Sequence, residues 1–310
     1  MILDETQDAI REMTHQFAQD VLWPTAEGRD RSGEFPRAEL TQMGELGLMG
    51  MLVPEEYGGS DTGAVAYAVA LEEIAAGDGP VSTILSVHSS VGCVPILKYG
   101  TDAQKQKYLP KLASGEWIGG FALTEPQAGS DASNLKTTAV RDGDHYVING
   151  AKQFITSGKN GQMIIVFAIT DKDAGKRGMS AFIVETDTPG YEVVRVEDKL
   201  GLNCTDTCQL AFTDMRIPVE NMLGEEGQGY KIALANLEGG RIGIAAQAVG
   251  MARSALKAAR EYASERTAFG TAITNHQAVG FKLSDMATQV EAARQLVLHA
   301  ASLKEAGIPC

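Results

Sequence analysis

The chain predicts an α+β fold in three successive regions. They are a helical domain over residues 1–116, an antiparallel β domain of barrel or sandwich type over 117–223, and an incomplete helical bundle over 224–310. Helical hydrophobic periodicity in the first region gives way to short β-rich runs bounded by Gly, Asn and Asp in the second. It then returns in two long segments after Gly229. The length allows more than one domain, and the hydrophobic share of 44% is ordinary for a globular chain, so an extended disordered state is not expected.

In the first region the pattern predicts helices over Ile2 to Val21, Arg37 to Leu46, Gly63 to Ala76, Val81 to Tyr99 and Asp102 to Ser114. The breaks carry stop-and-start chemistry: Gly58-Gly59, Gly77-Asp78-Gly79-Pro80, and Tyr99-Gly100 followed by the capping pair Thr101-Asp102. In the second region strands are expected at Tyr146 to Ile148, Gln153 to Thr156, Met163 to Thr170, Ala181 to Glu185 and Gln209 to Phe212. Asp142-Gly143 and Asn149-Gly150 read as hairpin turns, because the favoured two-residue turn needs positive φ at both central residues.

In the third region Ala245, Val249, Ala252, Leu256, Ala259 and Ala263 form one stripe, and Val279, Leu283, Met286, Val290, Ala293 and Val297 another. Two helices alone cannot cover both stripes, so further helices or another subunit are expected against them. Gly307, Ile308 and Pro309 read as a helix stop and turn, with no closing element after it.

The net charge of −13 repels phosphate backbones and anionic lipid, so nucleic acid is not an expected partner. No run approaches the roughly 20 apolar residues of a membrane span, and residues 1–19 lack the basic-then-apolar order of a leader. Membrane insertion is not expected, and the predicted location is cytoplasmic, of bacterial type. The four cysteines, Cys93, Cys204, Cys208 and Cys310, are too few for a disulfide framework. Cys204 and Cys208 have no second Cys/His half, so they read as packing thiols and no metal is expected.

Three stretches carry chemistry. Phe121-Ala122-Leu123-Thr124-Glu125-Pro126-Gln127-Ala128-Gly129-Ser130-Asp131 leaves a strand with unusual polar density. Its Pro and Gly turn the backbone so that successive N–H groups can cradle an anion such as a diphosphate, although a plain strand-to-loop turn uses the same residue types. Gly150 to Gly158 ends a strand in Phe154-Ile155-Thr156-Ser157. Glu265-Arg266-Thr267-Ala268-Phe269-Gly270, with His276-Gln277, links the two long helices.

Together with Tyr57-Gly58-Gly59 and Leu237-Glu238-Gly239-Gly240-Arg241, this ordered set resembles the acyl-CoA dehydrogenase family along essentially the whole chain. It is most similar to the members that act on short-chain and short-branched-chain substrates. The resemblance implies FAD as cofactor and α,β-dehydrogenation of an acyl-CoA thioester to the 2-enoyl-CoA. It further implies an electron-transfer flavoprotein as acceptor and a homo-oligomer, a dimer of dimers.

Carried over position by position, Phe121, Leu123 and Thr124 lie along the flavin, with Thr124 donating to its pyrimidine edge. Gly129 and Ser130 cradle the diphosphate, and Phe154 and Thr156 cover the other flank of the ring. Arg266, Phe269 and Gln277 reach FAD bound in a neighbouring subunit. Ser130 and Arg241 meet the CoA substrate. His88, Ser89, Ser90 and Cys93 fall on the helix that lines the acyl end, and they are too ambiguous to name a chain length.

The catalytic carboxylate of the family has two locations. One falls at Gly240, which has no side chain, and the other in a helical segment beyond residue 310, so the expectation is a C-terminally truncated chain without its base. Glu238 is a poor substitute, because two residues along a helix is about 200° of rotation. The same flavin motifs serve related acyl-CoA chemistry, oxidase or elimination, or a non-catalytic flavin or acyl-CoA scaffold.

Overall fold

The computed structural model describes residues 1–309; Cys310, counted above among the unpaired thiols, lies outside them. Its helices are α1 (Glu5–Phe17), α2 (Trp23–Ser32), α3 (Arg37–Glu45), α4 (Gly63–Gly77), α5 (Gly79–Val87), α6 (Val94–Tyr99), α7 (Asp102–Ala113), α8 (Gly229–Glu265) and α9 (Gln277–Glu305). The strands are β1 (Gly119–Ala122), β2 (Thr138–Asp142), β3 (His145–Thr156), β4 (Met163–Ile169), β5 (Met179–Glu185), β6 (Tyr191–Val196), β7 (Thr207–Pro218), β8 (Met222–Leu223), β9 (Thr267–Ala268) and β10 (Thr271–Ala272). By chain contacts there are two compact units. One comprises Met1–Glu27, Gly63–Ser82 and Ile242–Cys310, and the other Gly28–Thr62 and Thr83–Arg241.

In the first unit α1 opens with a reciprocal cap, Asp4 accepting from the Gln7 amide while the Gln7 side chain accepts from the Asp4 amide. The first helical run was expected to stop at Val21. Instead it passes through a π-turn at Ala18–Leu22, where the Trp23 amide bonds to the Ala18 carbonyl, and continues into α2 with Pro24 just after the turn. Helix α4 is buried along nearly its whole length and packs on α1 and α9. Its Glu72 and Glu73, both 3% exposed, face Arg253 of α8 at 2.7 and 2.8 Å. Arg294 of α9 adds its Nε to both Glu72 oxygens at 3.0 Å, and His15 of α1 meets Glu73 at 2.9 Å. Burial raises the Glu72 pKa against the pull of the two arginines, whereas at Glu73 the same desolvation is outweighed by Arg253 and His15 and the pKa falls.

The helical run 79–99, whose residues from Thr83 onward belong to the second unit, is interrupted by a π-segment at His88–Cys93, and Thr101 caps α7 as the sequence predicts. The run is long and apolar enough to cross a membrane, but it is mostly buried within the chain. The sheet follows the path β6-β7-β3-β2-β4-β5-β8, with β1 also pairing on β4. Most pairs are antiparallel, but β1 and β2 run parallel to β4, so the sheet is mixed rather than the antiparallel barrel or sandwich expected. Among the described residues the end strands β6 and β8 do not pair, leaving an open path.

The predicted hairpin joins β2 and β3, but its turn residues are Gly143 and Asp144, with Asp142 paired to His145 and Gly143 alone of the turn at positive φ. Asn149-Gly150 does not turn the chain; it lies inside β3 opposite a bulge in β7, which advances three residues, Met215 to Phe212, while β3 advances two, with Asp214 at φ +46°. Gly150 at φ +152° lets Thr137 approach where a Cβ would collide, and Asn149 exchanges hydrogen bonds with Asp214 on β7.

Two glycines of α8 meet different neighbours. A Cβ on Gly250 would overlap the Glu72 carbonyl of α4, whereas one on Gly240 would sit 3.3 Å from the Ser90 hydroxyl, which can rotate. Gly250→Ala is expected to destabilise by about 2–3 kcal/mol through overpacking. Gly240→Ala should stay within about 1 kcal/mol of the parent, since helix propensity offsets the tight contact. Urea midpoints at constant slope measure both.

Candidate active site

The site is built where β1 leaves the sheet and β3 ends. Beyond the irregularity at Asn149-Gly150, strand β3 pairs with β7 from Gly150↔Phe212 to Lys152↔Leu210, slips, and resumes at Ile155↔Cys208. Gln153 and Phe154 occupy the slip. The Gln153 amide, released from β7, donates to the Thr124 carbonyl at 2.9 Å, so the slip joins two runs about thirty residues apart. Phe154 takes φ +59° and is 59% exposed, an uncommon conformation and exposure for an aromatic residue. The Thr156 carbonyl packs against Gly120 of β1.

On this ledge Phe121 is half-buried with its ring 4.7 Å from that of Phe167, and Thr124 and Thr156 are half-buried. Leu123 is buried in the core beside Ile165 and Phe167. Gly129 and Ser130 are exposed on the loop that follows, and a Cβ on Gly129 would meet nothing within 4 Å. Among the described residues the hydroxyls of Thr124, Ser130 and Thr156, and the amides of Thr124, Gly129, Ser130 and Asp131, have no hydrogen-bond acceptor. Accessible residues with this many unpaired donors suit an acceptor-rich ligand such as the pyrimidine edge and diphosphate of a flavin dinucleotide.

Glu125 makes no such offer. Its Oε1 accepts from Lys152 Nζ at 2.8 Å and the Thr137 amide at 3.1 Å. Its Oε2 accepts from the Lys136 amide and Gln127 Nε2, both at 2.6 Å. Burial raises its pKa, but the Lys152 charge and these donors outweigh that and leave it lowered. Lys152 is fully buried, and desolvation pulls its pKa down to about 8 despite Glu125. Neither residue carries a sequence-predicted role. The signal was present, because inward-facing Tyr146, Ile148 and Lys152 share one phase of β3 and Ile155 breaks it.

Beyond Thr156, Ser157 at φ +61° donates its amide to the Asp206 carbonyl. The Asp206 carboxylate accepts the Lys159 and Asn160 amides at 2.6 and 2.9 Å, and the Cys208 thiol at 3.7 Å. Burial, followed by the Asp206 charge, pushes the Cys208 thiol up to about 12. Cys204 is buried as well.

In the first half of α8, Arg241 and Glu238 are exposed and without partners among the described residues, and Gly240 faces Ser90 and Val91 of the π-segment. His88 of that segment is fully buried. Its Nδ1 accepts the Gly119 amide at 3.0 Å, so the ring proton is on Nε2, which lies 3.1 Å from the Leu112 carbonyl. Cys93, 3.5 Å from the same nitrogen, is a buried thiol whose pKa burial raises. His88 and Cys93 therefore serve packing. Ser90 donates to the Ser86 carbonyl, and the Ser89 hydroxyl is buried without a partner.

Arg266, Phe269 and Gln277 belong to the other compact unit, on and beside the β9–β10 hairpin. All three are exposed; Phe269 is 98% exposed at φ +53°, its ring edge-on to His276 at 5.9 Å.

Three family models match in chain order: the acyl-CoA dehydrogenase N-terminal domain at residues 4–116, middle domain at 120–215 and C-terminal domain at 227–310. The chain is 49% identical over 310 residues to an acyl-CoA dehydrogenase of Bacillus subtilis strain 168, covering 100% of this chain and 82% of the relative. A chain solved in work on the electron transferring flavoprotein of Acidaminococcus fermentans and flavin-based electron bifurcation superposes with TM-score 0.98 at 48% identity, covering 100% and 81%. Butyryl-CoA dehydrogenase from Megasphaera elsdenii superposes with TM-score 0.97 at 43% identity, covering 100% and 82%.

Burial holds His88 neutral and lowers its pKa to about 4. The unfolded chain binds this proton near the ordinary value of about 6.5, so stability is full above that pH and falls as pH drops towards 4. His88→Gln, which keeps a donor and an acceptor, is expected to remove about 1.4 kcal/mol per pH unit of slope from that window. Denaturant melts at stepped pH measure it; an unchanged slope would reject a neutral buried ring.

Proposed function

The chain belongs to the acyl-CoA dehydrogenase family, and from that premise we propose that it oxidises a short-chain acyl-CoA thioester to the 2-enoyl-CoA on bound FAD. The observation that supports this reading is the hydrogen-bonded meeting of the Thr124 loop with the slip in β3, two segments whose accessible residues keep amides and hydroxyls without acceptors among the described residues. FAD, when bound, supplies the two-electron acceptor for hydride from the carbon β to the thioester.

The chain's own residues do the rest. Thr124 and Thr156 orient the ring and donate towards charge that grows on reduction, and the Gly129–Ser130 amides hold the diphosphate. Phe121 and Phe154 flank the ring; Leu123 contributes its backbone, since its side chain is in the core. Arg241, an exposed unpaired guanidinium, meets the CoA end of the substrate together with Ser130. The proton on the α-carbon goes to a carboxylate. Gly240 has no side chain and Glu238 is exposed, so the stretch 237–241 does not supply it.

A homo-oligomer completes the site in this reading. Phe269, almost wholly exposed, with Arg266 and Gln277, covers the dinucleotide of a neighbouring copy. Electrons pass on to an electron-transfer flavoprotein, a reading supported by the likeness to the Acidaminococcus fermentans chain.

The purified protein is expected to retain about one FAD per chain and to show a perturbed visible flavin band on titration with butyryl-CoA. Absence of flavin binding, or no response to any acyl-CoA, would refute the assignment. Arg241→Ala should weaken butyryl-CoA binding about tenfold, the loss of one charge-assisted contact of about 1.4 kcal/mol. Phe269→Ala should weaken FAD retention and lower the oligomer mass by light scattering; unchanged retention would place that residue outside the cofactor site.

A further inference from the structure

Lys152 is fully buried in β3, and its ammonium group meets two acceptors, the Glu125 carboxylate at 2.8 Å and the Leu123 carbonyl at 3.1 Å. The second contact has a geometric consequence. Peptide bonds are planar and trans here, so the carbonyl of residue 123 and the amide of residue 124 point in opposite directions. With the Leu123 oxygen drawn towards Lys152, the Thr124 N–H is turned away from it. The next peptide plane is fixed as well, because the Thr124 carbonyl accepts from the Gln153 amide at 2.9 Å. Thr124 is thus clamped on both sides while its own amide and hydroxyl remain without intrachain acceptors among the described residues.

We propose that Lys152 is a positioning residue for cofactor binding: by holding the Leu123 carbonyl and the saturated Glu125 carboxylate, it orients the Thr124 amide as a donor to the flavin. Glu125 completes the device. Its four donors come from its own loop, from residues 136–137 and from β3, so the carboxylate ties both ends of the 125–137 loop to the strand and has no lone pair left for substrate. The proposal rests on the FAD reading above and names a residue that does not itself touch the cofactor.

The test compares Glu125→Gln with the double variant Lys152→Met, Glu125→Gln. The double variant leaves no unpaired buried charge, which separates orientation from simple destabilisation. Folding is checked by circular dichroism and melting. FAD affinity is then read by flavin fluorescence quenching, and the reduction potential of the bound flavin by dye equilibration.

The expected result is a folded double variant that binds FAD at least tenfold more weakly than Glu125→Gln and holds its flavin at a more negative potential. Equal affinity and potential in the two variants would overturn the proposal. So would a double variant that fails to fold while Glu125→Gln folds, since Lys152 would then serve folding rather than orientation. A parent protein that binds no FAD at all would instead remove the FAD reading, a separate failure.

Discussion

A carboxylate taken out of water must be surrounded by donors, and the arrangement of donors around Glu125 decides the form of the loop that the candidate site depends on. Four groups from three stretches of chain converge on its two oxygens. An uncompensated charge in that position would cost several kcal/mol. The loop is therefore tied to β3 at both ends, with Gly129 and Ser130 exposed between them. The same rule operates in the other compact unit, where Glu72 and Glu73 draw Arg253, Arg294 and His15 out of three different helices.

The two clusters treat their acids differently. Glu72 and Glu73 are adjacent in sequence and share Arg253; burial, aided by the Glu73 charge, leaves the Glu72 pKa raised, whereas Arg253 and His15 outweigh burial at Glu73 and lower it. Glu125 shares Lys152 with no other acid, and two backbone amides and the Gln127 side chain supply the remaining donors. A cluster of the first kind fixes which helices lie together. One of the second kind fixes individual peptide planes, which is the finer control that a hydrogen-bonded cofactor needs.

Several helix boundaries were legible because they are written in caps and stops: Thr101 before α7, Gly77 at the end of α4, and Gly100 after α6. The strand–helix alternation was legible from periodicity. What sequence reasoning missed lay where local signals serve a non-local purpose. Asn149-Gly150 has hairpin chemistry but answers to Thr137 and Asp214, which are distant in sequence. The parallel pairing of β1 with β4 depends on a crossover that no short window contains. Lys152 reads as a surface residue by type, and only its phase within β3 marks it as buried. The motif residues were found from the resemblance, whereas the groups that aim them were not, because their role depends on three-dimensional partners.

Stability alone gives no reason for a lysine at position 152. A buried ion pair is often no more stabilising than apolar side chains of the same volume, so a core in which Lys152 and Glu125 were both replaced by uncharged side chains could fold as well. An apolar side chain, however, cannot hold a carbonyl oxygen. The Leu123–Thr124 peptide plane would then be set by weaker local preferences, and the Thr124 donor would sample several directions. A donor that is fixed before the ligand arrives loses no orientational freedom on binding and needs no reorganisation as charge develops on the ligand. The buried pair therefore trades apolar packing for direction, and direction is the property that the slip in β3, the Gln153 amide and the left-handed Phe154 also supply.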